Sequence, residues 1–172
     1  MAVLMELAEE PGTASEVIRL AALRRRTIAT AESLTAGMVA ASLGAVPGAS
    51  AVFQGGAVTY QNEIKVSVLG VDPAGLAATG AVDARVARQM AEGARRVFAA
   101  DLGVSTTGAA GPEPHGGKLV GTVYVAVASA AGTAVSEYLF DGDRNEVRTL
   151  ACSAALQQLH AALIESDPGN KS

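Results

Sequence analysis

Ser33 lies where a strand is predicted to pass into a helix. It falls within the run TAESLTAG at 30–37, between the β-favouring segment 27–29 and the helix-compatible segment 38–43. The start of a helix has unpaired backbone N–H groups and a partial positive charge. Such a start can hold an anion, or the oxyanion that forms when a nucleophile attacks a carbonyl. Ser33 is therefore a candidate nucleophile, with helix N-capping as the alternative explanation.

A second stretch suited to ligand binding is the glycine-rich segment 107–117, TGAAGPEPHGG. It follows a predicted strand at 102–106 and is too long and too rich in glycine for a simple connector. Ligands bind to open α/β sheets beyond the carboxyl ends of strands, where this segment and Ser33 are both expected. The two stretches therefore predict one shared site.

The bulk composition excludes several classes of protein. Of the 172 residues, 49% are hydrophobic and only 3% aromatic, which predicts a single folded domain with a core of small aliphatic residues. The net charge of −4 gives no electrostatic drive toward nucleic acid or anionic membranes. One cysteine, Cys152, excludes an internal disulfide and, with two histidines, argues against structural zinc. Without a bilayer-spanning segment or a basic signal region, a cytoplasmic protein is expected.

The predicted elements alternate between helices and strands. Helices are predicted over 2–9, from a capping box at Thr13 to 24–26, from Ser33 to before Pro47, over 62–69, after Asp83, and from Arg144 to about 165. Strands are predicted at 27–31, 51–60, 102–106, 119–128 and 133–140, the last two as a hairpin, and 74–82 is predicted to be a loop. This order predicts an α/β fold, a three-layer α/β/α sandwich around a mixed, mostly parallel sheet.

Six segments, taken in order, resemble motifs of the CinA C-terminal domain family. They are AESLTAG at 31–37 (AESCTGG), GAVTYQNEIK at 56–65 (GxVxYxNxxK), GAV at 80–82 (HGAV without its histidine), TGAAGP at 107–112 (SGIAGP), VGTV at 120–123 and GDR at 142–144. The resemblance covers nearly all of the predicted core, residues 14–165 of a single domain spanning 1–172. It implies a fold like that of the anticodon-binding domain, with a mixed five-stranded sheet.

The resemblance also implies an activity, the hydrolysis of nicotinamide mononucleotide to nicotinate mononucleotide and ammonia, with no cofactor and no metal. A carboxamide is a poor electrophile, so its hydrolysis needs a nucleophile, a base and an oxyanion site. The family places its catalytic serine, tyrosine and lysine at Ser33, Tyr60 and Lys65. Lys65 suits a base, because burial lowers the pKa of a lysine, and Tyr60 could relay the proton. His115, in the glycine-rich loop, and His160, in the last helix, are less convincing bases.

The implied substrate carries a ribose 5′-phosphate. Backbone N–H groups of the loop after the predicted strand at 102–106 could bind it, those of Thr107, Gly108, Ala109, Ala110 and Gly111. Arg144, beside a helix start, could pair with the phosphate, or else with Asp143 or Glu146 at the surface. Thr35 is expected to cap the helix after Ser33 and to contact the ligand, and Glu32 to orient the site or to complement the helix dipole.

Two positions depart from the family pattern. Leu34 stands where the family has cysteine and adds bulk beside the nucleophile, and Ala36 stands where the family has glycine, which matters if the backbone needs a positive φ there. An active amidohydrolase therefore competes with two alternatives, a catalytically weak or inactive nucleotide-binding module and an interaction protein linked to competence or DNA damage. The expected partners are the nucleotide substrate and further copies of the chain in a homo-oligomer, with no direct nucleic acid and no membrane.

Overall fold

In the computed structural model, which describes residues 12–165, a five-stranded sheet lies between two layers of helices. The elements, in chain order, are α1 Ala14–Leu23, β1 Ile28–Glu32, α2 Met38–Gly44, β2 Phe53–Val58, α3 Asn62–Leu69, α4 Pro73–Thr79, α5 Ala84–Val97, β3 Leu102–Gly108, β4 Thr122–Ser129, β5 Gly132–Leu139 and α6 Arg144–Glu165. A short 3-10 turn, Ala49–Ala51, precedes β2. None of the helices within 12–165 has both the length and the apolar character needed to cross a lipid bilayer.

The sheet has the strand order β2-β1-β3-β4-β5. Strand β1 pairs in parallel with β2 and β3, whereas β4 is antiparallel to β3 and β5. This confirms the predicted α/β class with a mixed sheet, in which two strand pairings are parallel and two are antiparallel. In the register of β1, Glu32 lies beside Val58 of β2 and Thr106 of β3, so the three parallel strands end close together.

The two faces of the sheet differ in how large their side chains are. Helices α1, α2 and α6 cover one face, to which β1 contributes Ile28, and helices α3, α4 and α5 cover the other, to which β1 contributes Ala29 and Ala31. Helix α5 comes very close to β3, since a Cβ atom at Gly103 would lie 2.2 Å from the carbonyl oxygen of Ala91. The second face is therefore packed from small residues, as the composition predicts.

Helix α4 shows that the prediction of a loop over 74–82 is wrong. The carboxylate of Asp72 accepts hydrogen bonds from the backbone N–H groups of Ala74 and Gly75, at 3.2 and 2.8 Å. Pro73 is the first helical residue, where its missing N–H has no intrahelical partner to lose and its fixed φ suits the helix. An N-cap followed by proline thus starts a helix despite the glycine at position 75. The predicted helix over 2–9 lies outside the described residues.

Candidate active site

A cavity of about 400 Å³ lies beyond the carboxyl ends of the parallel strands. It is lined by all but one of the predicted site residues, namely Ser33, Tyr60, Lys65, Thr107, Gly108, Ala109, Ala110, Gly111 and Arg144. Thr35 is the exception. His115 also lies on the cavity wall, next to Pro114 and Glu113. The fold thus brings together segments that are more than a hundred residues apart in the chain, as Ser33 and Arg144 are.

The buried carboxylate of Glu32 occupies the start of α2. It accepts hydrogen bonds from three backbone N–H groups, those of Gly37 at 3.0 Å, Val39 at 3.1 Å and Ala40 at 2.8 Å. Neither Ser33 nor Thr35 caps α2, so the predicted cap at Thr35 is wrong and so is the alternative explanation of Ser33. The expectation of an anion site at this helix start is also wrong, because the protein's own carboxylate fills it.

Thr35 links the turn after β1 to the neighbouring strand. Its hydroxyl donates to Glu32 at 2.6 Å and is hydrogen-bonded to the Thr106 hydroxyl at 2.7 Å. The residue is fully buried and does not line the cavity. The backbone N–H of Ser33 donates to the Thr106 carbonyl oxygen at 3.0 Å. The contacts of Thr35 are therefore structural, and they fix the backbone from which Ser33 projects.

Lys65 is the largest side chain that is fully buried in the described part of the chain. Its Nζ donates to the carbonyl oxygens of Thr59 and Tyr60, at 2.7 and 2.9 Å. Burial penalises the charged ammonium and lowers the pKa of Lys65 from 10.5 to about 8. Lys65 is therefore not a solvated lysine on a helix surface, and near pH 8 about half of its amine is neutral.

Arg144 connects Tyr60 to the glycine-rich loop. Its Nη2 donates to the Tyr60 hydroxyl at 2.8 Å and its Nη1 donates to the Gly111 carbonyl oxygen at 2.6 Å. The Asp143 carboxylate accepts instead from backbone N–H groups at the start of α6, those of Asn145 and Glu146. Because the Tyr60 hydroxyl faces Arg144, a proton relay through Tyr60 stays a prediction.

The segment 107–117, whose first two residues belong to β3, already uses part of its hydrogen-bonding capacity within the fold. The Thr107 hydroxyl donates to the Ala81 carbonyl oxygen at 2.7 Å, and the Ala109 N–H donates to the Thr122 carbonyl oxygen at 2.9 Å. Further along, His115 and Lys118 exchange two backbone hydrogen bonds, at 3.3 and 3.0 Å, around a two-residue turn. The segment 107–117 is thus partly ordered by backbone pairing.

Arg148, which the sequence motifs do not single out, contacts the turn that carries Ser33. Its Nε donates to the Leu34 carbonyl oxygen at 2.9 Å and its Nη2 donates to the Thr35 carbonyl oxygen at 3.3 Å. A signal for it exists in the sequence. Residues four apart on a helix lie on the same face, so an arginine four positions after Arg144 is expected to point the same way.

The two departures from the family pattern have different structural consequences. The Leu34 side chain is buried and belongs to the core cluster on the α1, α2 and α6 face, and Leu34 also lines the cavity beside Ser33. Ala36 has φ of 48°, the left-handed conformation in which alanine is less favourable than glycine. The backbone at Ala36 therefore has the positive φ that favours the glycine found there in the family pattern.

A family model for the CinA C-terminal domain matches residues 11–163 of this chain. A CinA-like protein of Frankia casuarinae is 46% identical over 147 residues, covering 86% of this chain and 34% of that protein. A CinA-like protein of Geobacter sulfurreducens is 48% identical over 151 residues, covering 86% of this chain and 36% of that protein. The chain thus spans about a third of the length of these curated relatives.

Solved structures share the fold over nearly their whole length. The competence damage-inducible protein A of Klebsiella pneumoniae has a TM-score of 0.86 at 33% identity, covering 90% of this chain and 96% of that chain. The competence/damage inducible protein CihA of Agrobacterium tumefaciens has a TM-score of 0.80 at 35% identity, covering 92% of this chain and 99% of that chain. The similarity therefore extends to both layers of helices as well as to the sheet.

Proposed function

This chain belongs to the CinA C-terminal domain family, and from that membership we propose that it is an amidohydrolase acting on nicotinamide mononucleotide. The products are nicotinate mononucleotide and ammonia. The observation that carries the proposal is that Ser33 and the fully buried Lys65 line one cavity. A hydroxyl and an amine with a pKa of about 8 are the nucleophile and the base that amide hydrolysis needs.

The reaction proceeds in two halves. Neutral Lys65 takes the proton of the Ser33 hydroxyl as Oγ attacks the carboxamide carbon, and a tetrahedral intermediate forms. The C–N bond then breaks, Lys65 returns the proton to the leaving nitrogen, and ammonia departs from a serine ester. In the second half, water gives a proton to Lys65 and attacks the ester carbonyl. The bond to Ser33 Oγ then breaks, Lys65 returns the proton to Oγ, and the acid product leaves as its carboxylate after losing its proton to solvent.

The negative charge that develops on the substrate oxygen needs a hydrogen-bond donor. The backbone N–H of Ser33 already donates a hydrogen bond to the carbonyl oxygen of Thr106. The N–H of Leu34, the residue immediately after the nucleophile, is the candidate donor, in the position commonly used beside a nucleophilic serine. Because the Leu34 side chain is buried in the core, its backbone is held firmly next to the cavity.

Arg144 is the candidate partner of the substrate phosphate. A guanidinium group has five N–H donors, and the structure assigns two nitrogens of Arg144 to Gly111 and Tyr60. The remaining donors can bind an anion, and arginine binds phosphate oxygens in a bidentate manner. Arg144 lies at the exposed mouth of the cavity, where a charged phosphate stays hydrated while the pyridine ring reaches Ser33.

The test is release of ammonia from nicotinamide mononucleotide by the wild type, Ser33→Ala and Ser67→Ala. Ser67 is an exposed serine on α3 and serves as the matched control. We expect release by the wild type and by Ser67→Ala, and a loss of at least about a hundredfold in Ser33→Ala. Full activity in Ser33→Ala would contradict the role of Ser33. A thermal shift with nicotinamide mononucleotide but no release by the wild type would favour the binding module instead.

The cellular setting is part of the same proposal. We propose that the protein acts in the cytoplasm on a nucleotide substrate, needs no cofactor, and works as a homo-oligomer. Light scattering coupled to size-exclusion chromatography measures the mass in solution, and a monomer at the concentrations used in the activity assay would contradict the last point.

A further inference from the structure

We propose that Arg148 is a positioning residue that holds the serine turn, residues 33–36, in its reactive conformation. Its guanidinium reaches from α6 to the carbonyl oxygens of Leu34 and Thr35, at 2.9 and 3.3 Å. These carbonyls directly follow the nucleophile in the chain. The consequences for the rate rest on the proposed function, whereas the contact itself does not.

The serine turn needs support from outside because its backbone is unfavourable by itself. Ala36 and Gly37 both have positive φ, 48° and 100°, and the first of them is not glycine. The internal hydrogen bond of the turn joins the Ala36 N–H to the Ser33 carbonyl oxygen at 3.1 Å. Such a short segment has more than one accessible backbone path, so contacts with other elements decide which path it takes.

Hydrogen bonds from two neighbouring parts of the fold hold the serine turn. On the sheet side, Glu32 and Thr106 bind the Thr35 hydroxyl, and Thr106 accepts from the Ser33 N–H. On the helix side, Arg148 binds the two carbonyl oxygens. Because the peptide groups are planar, fixing a carbonyl oxygen also fixes the N–H of the following residue. Arg148 therefore sets the orientation of two successive peptide planes next to Ser33.

The chemistry of the guanidinium suits this role. It is planar and permanently charged, and its donors have a fixed geometry, so one side chain can hold two acceptors at defined angles. Lysine has a similar charge but a single nitrogen on a flexible stem. Arg148 is half-buried, which strengthens its hydrogen bonds compared with those of a fully solvated group.

The expected effect is on the rate of reaction more than on binding. A displacement of a reacting atom by about 1 Å can lower a rate about a hundredfold. Arg148 contacts the serine turn, whereas the proposed phosphate partner is Arg144, one helical turn earlier. Loss of Arg148 should therefore lower kcat and leave KM nearly unchanged, while loss of Arg144 should raise KM.

The kinetic test compares Arg148→Ala and Arg148→Lys with the control Arg85→Ala. Arg85 lies on α5 and forms a surface ion pair with Asp83. For Arg148→Ala we expect kcat to fall about thirtyfold to a hundredfold, with KM within threefold of wild type. Arg148→Lys should recover part of the loss, and added guanidinium ion at non-denaturing concentration should partly rescue Arg148→Ala. Wild-type kcat in folded Arg148→Ala would overturn the proposal.

Hydrogen exchange tests the same contact without any assumption about the substrate. We expect the backbone amides of 34–37 to exchange faster in Arg148→Ala than in the wild type, while those of β4 stay unchanged. Arg148→Lys provides this comparison as well if the alanine variant does not fold. If the wild type releases no ammonia, the proposed function fails, and unchanged exchange at 34–37 would then overturn the role of Arg148 separately.

Discussion

Lys65 shows how a single buried group sets the pH range of a site. Its amine is removed from water and donates only to carbonyl oxygens in the described structure around it, those of Thr59 and Tyr60. The lowered pKa of about 8 means that roughly a tenth of the molecules have a neutral Lys65 at pH 7. The neutral fraction is the active one if Lys65 takes the proton from Ser33.

The pH dependence of the rate follows from the requirement that Lys65 be neutral. As pH rises through about 8, the fraction of neutral Lys65 increases, so kcat/KM for ammonia release should rise and then level off. In Lys65→Met the rate should fall at least about a hundredfold at pH 9, and the difference from the wild type should narrow as the pH is lowered and less of the wild-type Lys65 is neutral. Initial rates measured between pH 6 and pH 10 check both expectations. A wild-type rate that does not change from pH 6.5 to pH 9 would contradict the role of Lys65.

Ala36 offers a gain of stability at the serine turn. An alanine with φ of 48° is strained by about 1 kcal/mol or more, and glycine is free of this strain. Glycine loses part of that advantage because it makes the unfolded chain more flexible. We expect Ala36→Gly to raise the free energy of unfolding by about 0.5 kcal/mol, measured by urea denaturation. A loss of more than about 1 kcal/mol would show that the Ala36 methyl group makes contacts that matter.

Among single side chains, the sequence predicts those that stand in motifs and misses one that depends on tertiary contact. Ser33 and Lys65 were found from their motif positions, and both line the cavity. Arg148 lies 114 residues from Leu34, and the hydrogen bond between them depends on how α6 packs on the turn after β1. The bond between Arg144 and the Tyr60 hydroxyl depends likewise on distant elements.

Among the elements, α5 packs with little room between its backbone and its neighbours. It lies directly on β3, where Gly103 faces the backbone of Ala91. A methyl group at this position would collide with a carbonyl oxygen, which cannot move aside as a flexible side chain can. The alanine-rich and glycine-rich composition thus reflects close approach between a helix and a sheet.

This packing predicts a large effect from a small substitution. In Gly103→Ala the new Cβ would lie 2.2 Å from the Ala91 carbonyl oxygen, so α5 must shift, and we expect a loss of about 2–3 kcal/mol in the free energy of unfolding. The matched control is Gly44→Ala in α2, where no atom lies within 4 Å of the new methyl group. That variant should be neutral or slightly more stable. Equal effects in the two variants, measured by chemical denaturation, would contradict the packing explanation.

Elements with strong local signals were predicted well, and the short helix α4 was not. The sequence predicts a helix after Asp83 and a late hairpin, and α5, β4 and β5 are found there. Helix α4 has seven residues and only Leu76 among them is buried. A helix with one core residue shows no hydrophobic periodicity, so its cap and its proline were the only signals available.

For the molecule as a whole, burying Lys65 costs stability. The unfolded chain keeps a lysine pKa near 10.4, whereas the folded chain has a pKa of about 8, so between these values the unfolded state binds more protons. Stability therefore rises with pH through this window. Below about pH 8 both states are protonated and the full cost of burial is present.

The coupling between the protonation of Lys65 and the stability of the fold can be measured by comparing the wild type with Lys65→Met. Between pH 7.5 and pH 9.5 the free energy of unfolding of the wild type should rise by about 2 kcal/mol relative to that of Lys65→Met. Subtracting the variant removes the contributions of the other ionisable groups. Urea denaturation at three pH values in this range gives the difference, and parallel curves for the two proteins would rule out a lowered pKa in the folded wild type.

Both arginines of the site lie in α6, the last helix in the described chain. During synthesis, Ser33, Tyr60 and Lys65 are all made long before Arg144 and Arg148. A chain that stops before α6 would have the nucleophile and the base without the groups that hold the serine turn and join Tyr60 to the loop. Translation thus delays assembly of the site until almost the whole domain has been made, and messages cut short before α6 yield products without a complete site.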